Sequence, residues 1–187
     1  RLKTKKTNLM NCSSCLFNYY EKRFTDDELV RLYKNYRTDK YLKKRNEFEP
    51  WYTQKFQNSL ENNDQKIISR KDFLYNLFKK NNITIQPHTR ILDYGGNDGK
   101  LIENLSNNCY VYDINNTKLA PGIKRFFLNK SKIKFNIITC SNVLEHVNDP
   151  SLFVKEIIPL IENNGYLYID VPNENPGSIK SKFISLI

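Results

Sequence analysis

Two kinds of hydrophobic pattern follow one another along the chain, and the change falls near residue 90. Before it, Thr25 and Glu28 form a capping box ahead of a helical pattern, and residues 65–80 read as an amphipathic helix. The apolar face of that second helix is predicted to carry Ile67, Phe73, Leu74, Leu77 and Phe78. The pattern therefore predicts a helical N-terminal region.

From Arg90 onward, short apolar runs alternate with helical segments. The predicted strands are "RILDY", "CYVYDI", a short one around Ile123–Leu128, "KFNIITC" and "YLYIDV". Helices are predicted over 98–106 and over 149–164, the second capped by Asp149, begun by Pro150 and ended by Gly165. Strands alternating with helices are typical of an α/β fold, in which helices wind around a parallel sheet.

Charge and cysteine content limit the partners and the cellular compartment that are expected for this protein. The formal net charge is +10, and residues 1–90 hold 20 of the 30 basic residues against 10 of the 20 acidic ones. A basic half suits a nucleic-acid partner, but lysines scattered along helices are usually a solvated face, so we expect no nucleic acid. No run of 18 apolar residues predicts a membrane span, and four cysteines make no disulfide framework. A cytoplasmic protein is expected.

The stretch Asp93-Tyr94-Gly95-Gly96-Asn97-Asp98-Gly99 follows the first strand of the α/β region. Glycines this dense indicate close approach of backbone to a ligand, or positive φ angles. A dinucleotide fingerprint fails, because Asn97 and Lys100 stand where its second and third glycines belong. The stretch matches D-x-G-x-G-x-G with Asn97 replacing one glycine. Asp113, at the end of the next strand, suits the two hydroxyls of a ribose, so a nucleoside-containing cationic ligand is predicted.

Residues 135–174, "FNIITCSNVLEHVNDPSLFVKEIIPLIENNGYLYIDVPNE", carry a family resemblance. Together with the glycine turn and Asp113, they closely resemble class I S-adenosylmethionine-dependent methyltransferases of types 11 and 23 over about residues 90–175. The resemblance implies a Rossmann-like, doubly wound, mainly parallel sheet with an N-terminal helical extension. It also implies S-adenosyl-L-methionine as the cofactor and a small molecule as the methyl acceptor.

Site residues follow from the same resemblance. Asp113 would hold the ribose, Ile114 would pack on the adenine, and Asn142 and Val143 would border the reactive sulfonium. The residues that would line the methionine part of the cofactor are Asp93, Tyr94, Gly95, Gly96, Asn97 and Gly99.

Glu145 and His146 allow two interpretations. Relatives use an acid–histidine pair near the acceptor, where the histidine could act as general base. The alternative is that the pair caps and braces the turn into the next helix. Some relatives bind a divalent cation through E-x-x-E-H, but Asn142 stands at the first acid of that motif, so no metal is expected.

The chain departs from the family pattern at several places. Only 21 residues separate Asp113 from Phe135, where a helix, a strand and another helix are usual. The chain stops soon after the fifth strand, so we expect it to lack the final antiparallel pair, and its opening at Arg1 suggests a missing start. The sheet edge left open would favour a homodimer.

The N-terminal "CSSCLFNYYEKRF" resembles the second half of a zinc-ribbon segment that precedes methyltransferases of sugars and surface polysaccharides. Leu16 replaces the usual glycine, and Cys12 and Cys15 alone supply only half of a structural zinc site. The predicted division is a hairpin remnant over 1–24, a helical cap over 25–88 and a cofactor-binding domain over 89–187. A sugar or sugar nucleotide is the expected acceptor. The alternatives are a nucleic-acid-binding module and an inactive cofactor-binding module.

Overall fold

The computed structural model describes residues 8–14, 18–33, 36, 38–61, 64–128 and 132–172. The N-terminal region holds a hairpin of β1 (Leu9–Asn11) and β2 (Asn18–Tyr20), then α1 (Asp26–Tyr33), α2 (Asp39–Asn46), α3 (Gln54–Glu61) and α4 (Asp64–Lys80). The α/β region holds β3 (Arg90–Tyr94), β4 (Asn108–Tyr112), β5 (Lys124–Arg125), β6 (Phe135–Ser141), α5 (Pro150–Ile157), a 3-10 turn (Ile158–Leu160) and β7 (Ile161–Asp170).

The larger sheet has five strands in the order β5-β4-β3-β6-β7. Every pairing between them is parallel, and central β3 pairs Ile91 with Cys109 on one side and with Ile137 on the other. The chain moves outward from β3 to β5 and then crosses back to β6, so the order reverses beside β3. The predicted α/β Rossmann-like sheet is confirmed, and its reversal point marks where such sheets bind ligands.

Helices cover both faces of this sheet. Leu74 and Phe78 of α4 pack with Ile91 and Ile137 on one face. On the other face, Phe153 and Ile157 of α5 belong to a second cluster with core residues of β3 and β6. Burial on both faces explains why "RILDY" and "FNIITC" read as nearly continuous apolar runs.

The predicted helix starts are confirmed at α1 and α5. The Thr25 N–H donates to Glu28 Oε2 at 2.9 Å, and the Glu28 N–H donates to Thr25 Oγ1 at 3.3 Å. Asp149 Oδ1 accepts from the N–H groups of Ser151 and Leu152. These side chains satisfy N–H groups that have no partner inside the helix.

The helix predicted over 98–106 is wrong, because this segment is a run of turns. Its backbone bonds span three residues, as from the Ile102 N–H to the Gly99 carbonyl at 3.1 Å. Asp98 Oδ1 accepts from the Lys100 N–H, which competes with helical bonding, and Asn104 has a φ of 65°. A helical pattern is present, but local side-chain bonds and a left-handed residue break it.

The prediction for the last helix is also too long. The α-helix ends at Ile157, because Pro159 has no N–H to continue the bonding, and a strand begins at Ile161 rather than after Gly165. On α4, Phe73 is 44% exposed, so it does not belong to the buried face. The expected absence of a final strand pair falls on residues 173–187, outside the described chain.

The cysteine pair is described only in part. Cys12 follows β1 in the hairpin, whereas Cys15 lies outside the described residues. Cys109 and Cys140 are buried in the sheet, as expected. Within the described ranges, no three His, Cys, Asp or Glu side chains are grouped so as to hold a metal ion, and no helix is long and apolar enough to cross a membrane.

Candidate functional site

The glycine turn leaves β3 at the carboxyl edge of the sheet, where its glycines leave no room for side chains. A Cβ on Gly96 would collide with the Asp93 carboxylate, and one on Gly95 would collide with Val143. Gly95 also has a φ of +77°, which L side chains rarely adopt. The glycines are therefore required by the close packing of the turn against Asp93 and Val143.

Asn97 occupies the position where the family pattern has glycine, and the structure accommodates it. Its φ is 55°, a left-handed conformation that asparagine tolerates better than most residues. The Asn97 N–H donates to Asp113 Oδ2 at 2.8 Å, and Asn97 Oδ1 accepts from Thr117 Oγ1 at 2.8 Å. The substitution thus keeps the turn and ties it to the end of β4.

Asp113 is half-buried directly after β4, facing the glycine turn. Its Oδ2 accepts from Asn97, and its Oδ1 accepts from the Asn115 N–H at 2.7 Å. Each carboxylate oxygen has two lone pairs, so both oxygens keep capacity for a further donor. The neighbouring Ile114 is 55% exposed. The structure therefore places an acceptor pair beside an exposed apolar side chain, and their assignment to ribose and adenine stays a prediction.

Asp93 lies beneath the turn rather than on its surface. Only 1% of the residue is exposed, and its Oδ1 accepts from Thr139 Oγ1 at 2.7 Å. Burial raises the pKa of this carboxyl to about 7, against the opposing influence of the Thr139 hydrogen bond and the Arg70 cation. Asp93 therefore supports the turn from below and titrates near neutrality.

The Tyr94 side chain lies in the hydrophobic core. Its ring is buried against Tyr112, with centroids 4.7 Å apart, and against Phe153 at 5.2 Å. Burial raises the pKa of its hydroxyl above the ordinary value. The side chain serves the core, and only its backbone belongs to the turn.

The end of β6 is joined to the end of β7 through Asp170. Asn142, at a φ of 53°, donates its N–H to the Asp170 carbonyl at 3.0 Å and to Oδ1 at 3.2 Å. Tyr168 donates its hydroxyl to Asp170 Oδ2 at 3.1 Å. These bonds fix the backbone of Asn142 and Val143 beside Gly95.

Arg70 is a site residue that sequence reasoning missed. Its Nη2 lies 3.6 Å from Asp170 Oδ2, and this nitrogen is buried with no hydrogen-bond partner. The signal was present, since Arg70 falls on the apolar stripe of α4, three residues after Ile67 and four before Leu74. A cation in such a stripe points to a buried anionic partner.

Glu145 and His146 lie in the turn that follows β6. Glu145 Oε1 is 3.7 Å from His146 Nε2, and the His146 N–H closes the turn on the Val143 carbonyl at 2.9 Å. About half of the His146 side chain is exposed, yet partial burial lowers the pKa of its imidazole. A neutral imidazole near pH 7 is able to accept a proton.

Two residues reach this turn from the N-terminal region, and sequence reasoning treated neither as part of the site. Arg23 Nη1 donates to the Val147 carbonyl at 2.8 Å and to the Leu144 carbonyl at 3.4 Å. The Tyr33 ring meets the His146 ring edge-on, with centroids 5.9 Å apart and an interplanar angle of 67°. Both contacts join residues more than 110 positions apart, a separation that local sequence patterns do not reveal.

A cavity of about 530 Å³ lies at the opposite, amino edge of the sheet. It shares no residue with the glycine turn or with the turn after β6. It is lined by His88, Arg90, Asn108, Tyr110, Ile133 and Asn136. The residues predicted from the sequence to form the site therefore lie at the other edge of the sheet from this cavity.

Comparison with known proteins adds a family assignment to this geometry. A family model described as a methyltransferase domain matches residues 33–184. Ubiquinone biosynthesis O-methyltransferases of Coxiella burnetii strains Dugway 5J108-111 and RSA 493 are 42% identical over 48 residues, which is 26% of this chain. The chain spans about a fifth of the length of these relatives, since the match covers 20% of each. The solved YcgJ protein of Bacillus subtilis is 16% identical, with a TM-score of 0.39 over 51% of this chain and 50% of YcgJ.

Proposed function

The chain belongs to the methyltransferase domain family, and on that premise we propose that it transfers a methyl group from S-adenosylmethionine to a hydroxyl group of a small molecule. The observation that carries the proposal is the hydrogen bond that joins the tightly packed glycine turn to the Asp113 carboxylate at the carboxyl edge of a parallel sheet. Parallel sheets bind ligands at this edge, where the strand order reverses.

The residues present fit this cofactor. Asp113 would accept hydrogen bonds from the ribose hydroxyls, and Ile114 would pack against the adenine. The buried Arg70 nitrogen, which has no hydrogen-bond partner, suits the carboxylate of the methionine portion. Asp93 is buried beneath the turn, so its charge would act on the positive charge of the same portion at a distance and not by contact.

When bound, S-adenosylmethionine supplies a methyl group activated by a sulfonium. The protein's task is then to align an acceptor oxygen with that methyl group and to remove the acceptor proton. We assign proton removal to His146, whose lowered pKa keeps the imidazole neutral at pH 7. The proton would move to a ring nitrogen, and Glu145, 3.7 Å from Nε2, would stabilise the resulting imidazolium.

The acceptor class is the finer part of the proposal. We propose a sugar or sugar nucleotide hydroxyl, supported by the likeness of the "CSSCLFNYYEKRF" segment to that of sugar methyltransferases. The Coxiella relatives are named for ubiquinone biosynthesis, so a ring hydroxyl of a quinone precursor is the competing acceptor. Both classes present an oxygen nucleophile to the same base.

The first experiment is calorimetric titration of the protein with S-adenosylhomocysteine, with NAD as the control ligand. We expect binding of the first and none of the second. The Asp113→Ala variant should lose at least tenfold in affinity, because the ribose loses both of its acceptors. Tight binding by that variant would refute the placement of the site, and binding of NAD would refute the cofactor class.

The second experiment assigns the acceptor. The protein is incubated with radiolabelled S-adenosylmethionine and either sugar nucleotides or hydroxylated phenols, and transferred label is counted. Label on a sugar nucleotide supports the proposed class, whereas label on phenols alone replaces it with the competing one. A His146→Gln variant should bind the cofactor normally and lose transfer by roughly 100-fold or more if His146 is the base.

A further inference from the structure

Tyr33 ends α1 and lies against the turn that carries His146, although the two residues belong to different regions of the chain. The ring centroids are 5.9 Å apart, and the edge of one ring meets the face of the other. Edge-to-face pairs of aromatic rings have a preferred mutual orientation, so each ring limits the rotation of the other.

A separate contact, made by a residue just before α1, holds the N-terminal region against this turn. Arg23, three residues before the start of α1, donates to the carbonyls of Leu144 and Val147, which flank Glu145 and His146. A hydrogen bond from a charged donor is stronger than one between neutral groups. The N-terminal region therefore contacts the turn in two ways. Arg23 bonds its backbone carbonyls, and Tyr33 packs against the imidazole.

Glu145 from its own turn and Tyr33 from the N-terminal region lie against His146, and Arg23 is a charged group bonded to the backbone of the same turn. A carboxylate 3.7 Å away would by itself favour the charged imidazole. The pKa of His146 is nevertheless lowered, and partial burial is the cause. The Tyr33 ring is part of the cover, because it packs directly on the imidazole.

The state of the Tyr33 hydroxyl is also set by this location. Burial raises its pKa to about 12, and the nearby Tyr36 hydroxyl and Glu145 and Asp113 carboxylates act in the same direction. The hydroxyl is therefore neutral at working pH, within electrostatic reach of the residues assigned to the ribose and to the base. Tyr33 is unsuited to act as a base itself but suited to orient a neighbour.

We propose that Tyr33 is a positioning residue for His146: its ring, brought in by α1 and fastened by Arg23, orients the imidazole and shields it from water. This inference rests on the proposed function in that His146 is the proton acceptor. The consequence is that the acceptor side of the site is completed by the N-terminal region and is not formed by the sheet alone.

The test is a proton NMR titration of the histidines in the whole protein, which has only two, His88 and His146. The His146→Gln variant assigns the signals. Tyr33→Leu removes the ring and should move the His146 pKa upward, toward the ordinary value for histidine, while the His88 signal stays unchanged. Tyr33→Phe keeps the ring and should keep the wild-type titration. The matched control is Tyr75→Leu, which removes an exposed tyrosine of α4 and should change neither signal.

Turnover gives the second measurement. Tyr33→Leu should lower kcat roughly tenfold and shift the acid limb of its pH profile upward, with unchanged affinity for S-adenosylhomocysteine. A His146 titration that is the same in wild type and Tyr33→Leu would overturn the inference. If Tyr33→Leu does not fold, the wild-type nuclear Overhauser effect between the Tyr33 ring and the His146 imidazole decides, and its absence overturns the inference too. Failure of the proposed function would show separately, as a wild-type protein that binds no S-adenosylhomocysteine.

Discussion

Replacing Asp93 by asparagine should stabilise the protein while weakening its cofactor site. The carboxyl group is 1% exposed and has a pKa raised by burial to about 7, from an ordinary value of 3.8. The folded protein therefore holds a proton, between those two pH values, that the unfolded chain has released. Stability falls as pH rises through this window, and the full penalty is present above pH 7.

The magnitude follows from the difference between the two pKa values. About three pH units correspond to roughly 4 kcal/mol for ionising Asp93 inside the folded protein. Asparagine removes that cost, and its Oδ1 can still accept from Thr139 Oγ1. Its buried amide needs a new acceptor, which costs about 1–3 kcal/mol if none is found. We expect a net gain of roughly 1–3 kcal/mol at pH 8 and none, or a loss, below pH 4.

The assay is urea unfolding of wild type and Asp93→Asn at several pH values between 4 and 8.5. The matched control is Asp72→Asn, which removes the same charge from an exposed position on α4. The difference between Asp93→Asn and wild type should grow with pH by more than the difference between the control and wild type. A constant difference across the range would refute the raised pKa, and tighter S-adenosylhomocysteine binding by Asp93→Asn would refute its role toward a cationic ligand.

Two further substitutions probe the glycine turn itself. Gly96→Ala should lower the free energy of unfolding by about 2 kcal/mol and abolish S-adenosylhomocysteine binding, because the added Cβ would collide with the buried Asp93 carboxylate. Urea unfolding measures the first effect and calorimetry the second. Normal binding by this variant would contradict the close packing of Gly96 on Asp93. Asn97→Gly should keep cofactor affinity within a few-fold, since glycine adopts the φ of 55° freely and retains the N–H donated to Asp113. Asn97→Val should lose tenfold or more in the same titration because β-branched residues rarely adopt that conformation, and equal affinities for the two variants would show that this backbone geometry does not matter.

The sheet could be predicted from the sequence because its strands carry unusually direct signals. "RILDY" and "FNIITC" are buried on both faces, and their apolar runs do not depend on distant partners. Asp149 and the Thr25–Glu28 pair lie where capping chemistry places them. Short-range sequence patterns were therefore sufficient to predict these elements and the glycine turn.

The misses have a common physical cause in longer-range or competing contacts. The segment 98–106 has helical spacing, but the Asp98 side chain accepts from the Lys100 N–H and Asn104 takes a left-handed conformation. Arg70 and Tyr33 reach the candidate site only through tertiary contacts, with Asp170 and His146 respectively. No pattern within a short window distinguishes a tyrosine that touches His146 from one that meets solvent.

The bonds from Asn142 to Asp170 have a consequence for the order in which a nascent chain acquires its binding capacity. Asn142 leaves the ribosome well before Asp170 does, at a synthesis rate of about 5–20 residues per second. Until β7 pairs beside β6, the two bonds to Asp170 are not present to hold the Asn142 backbone in its left-handed conformation. Cofactor affinity should therefore arise late and abruptly, so that a tethered chain series of increasing length would begin to retain S-adenosylhomocysteine only after Asp170 has emerged.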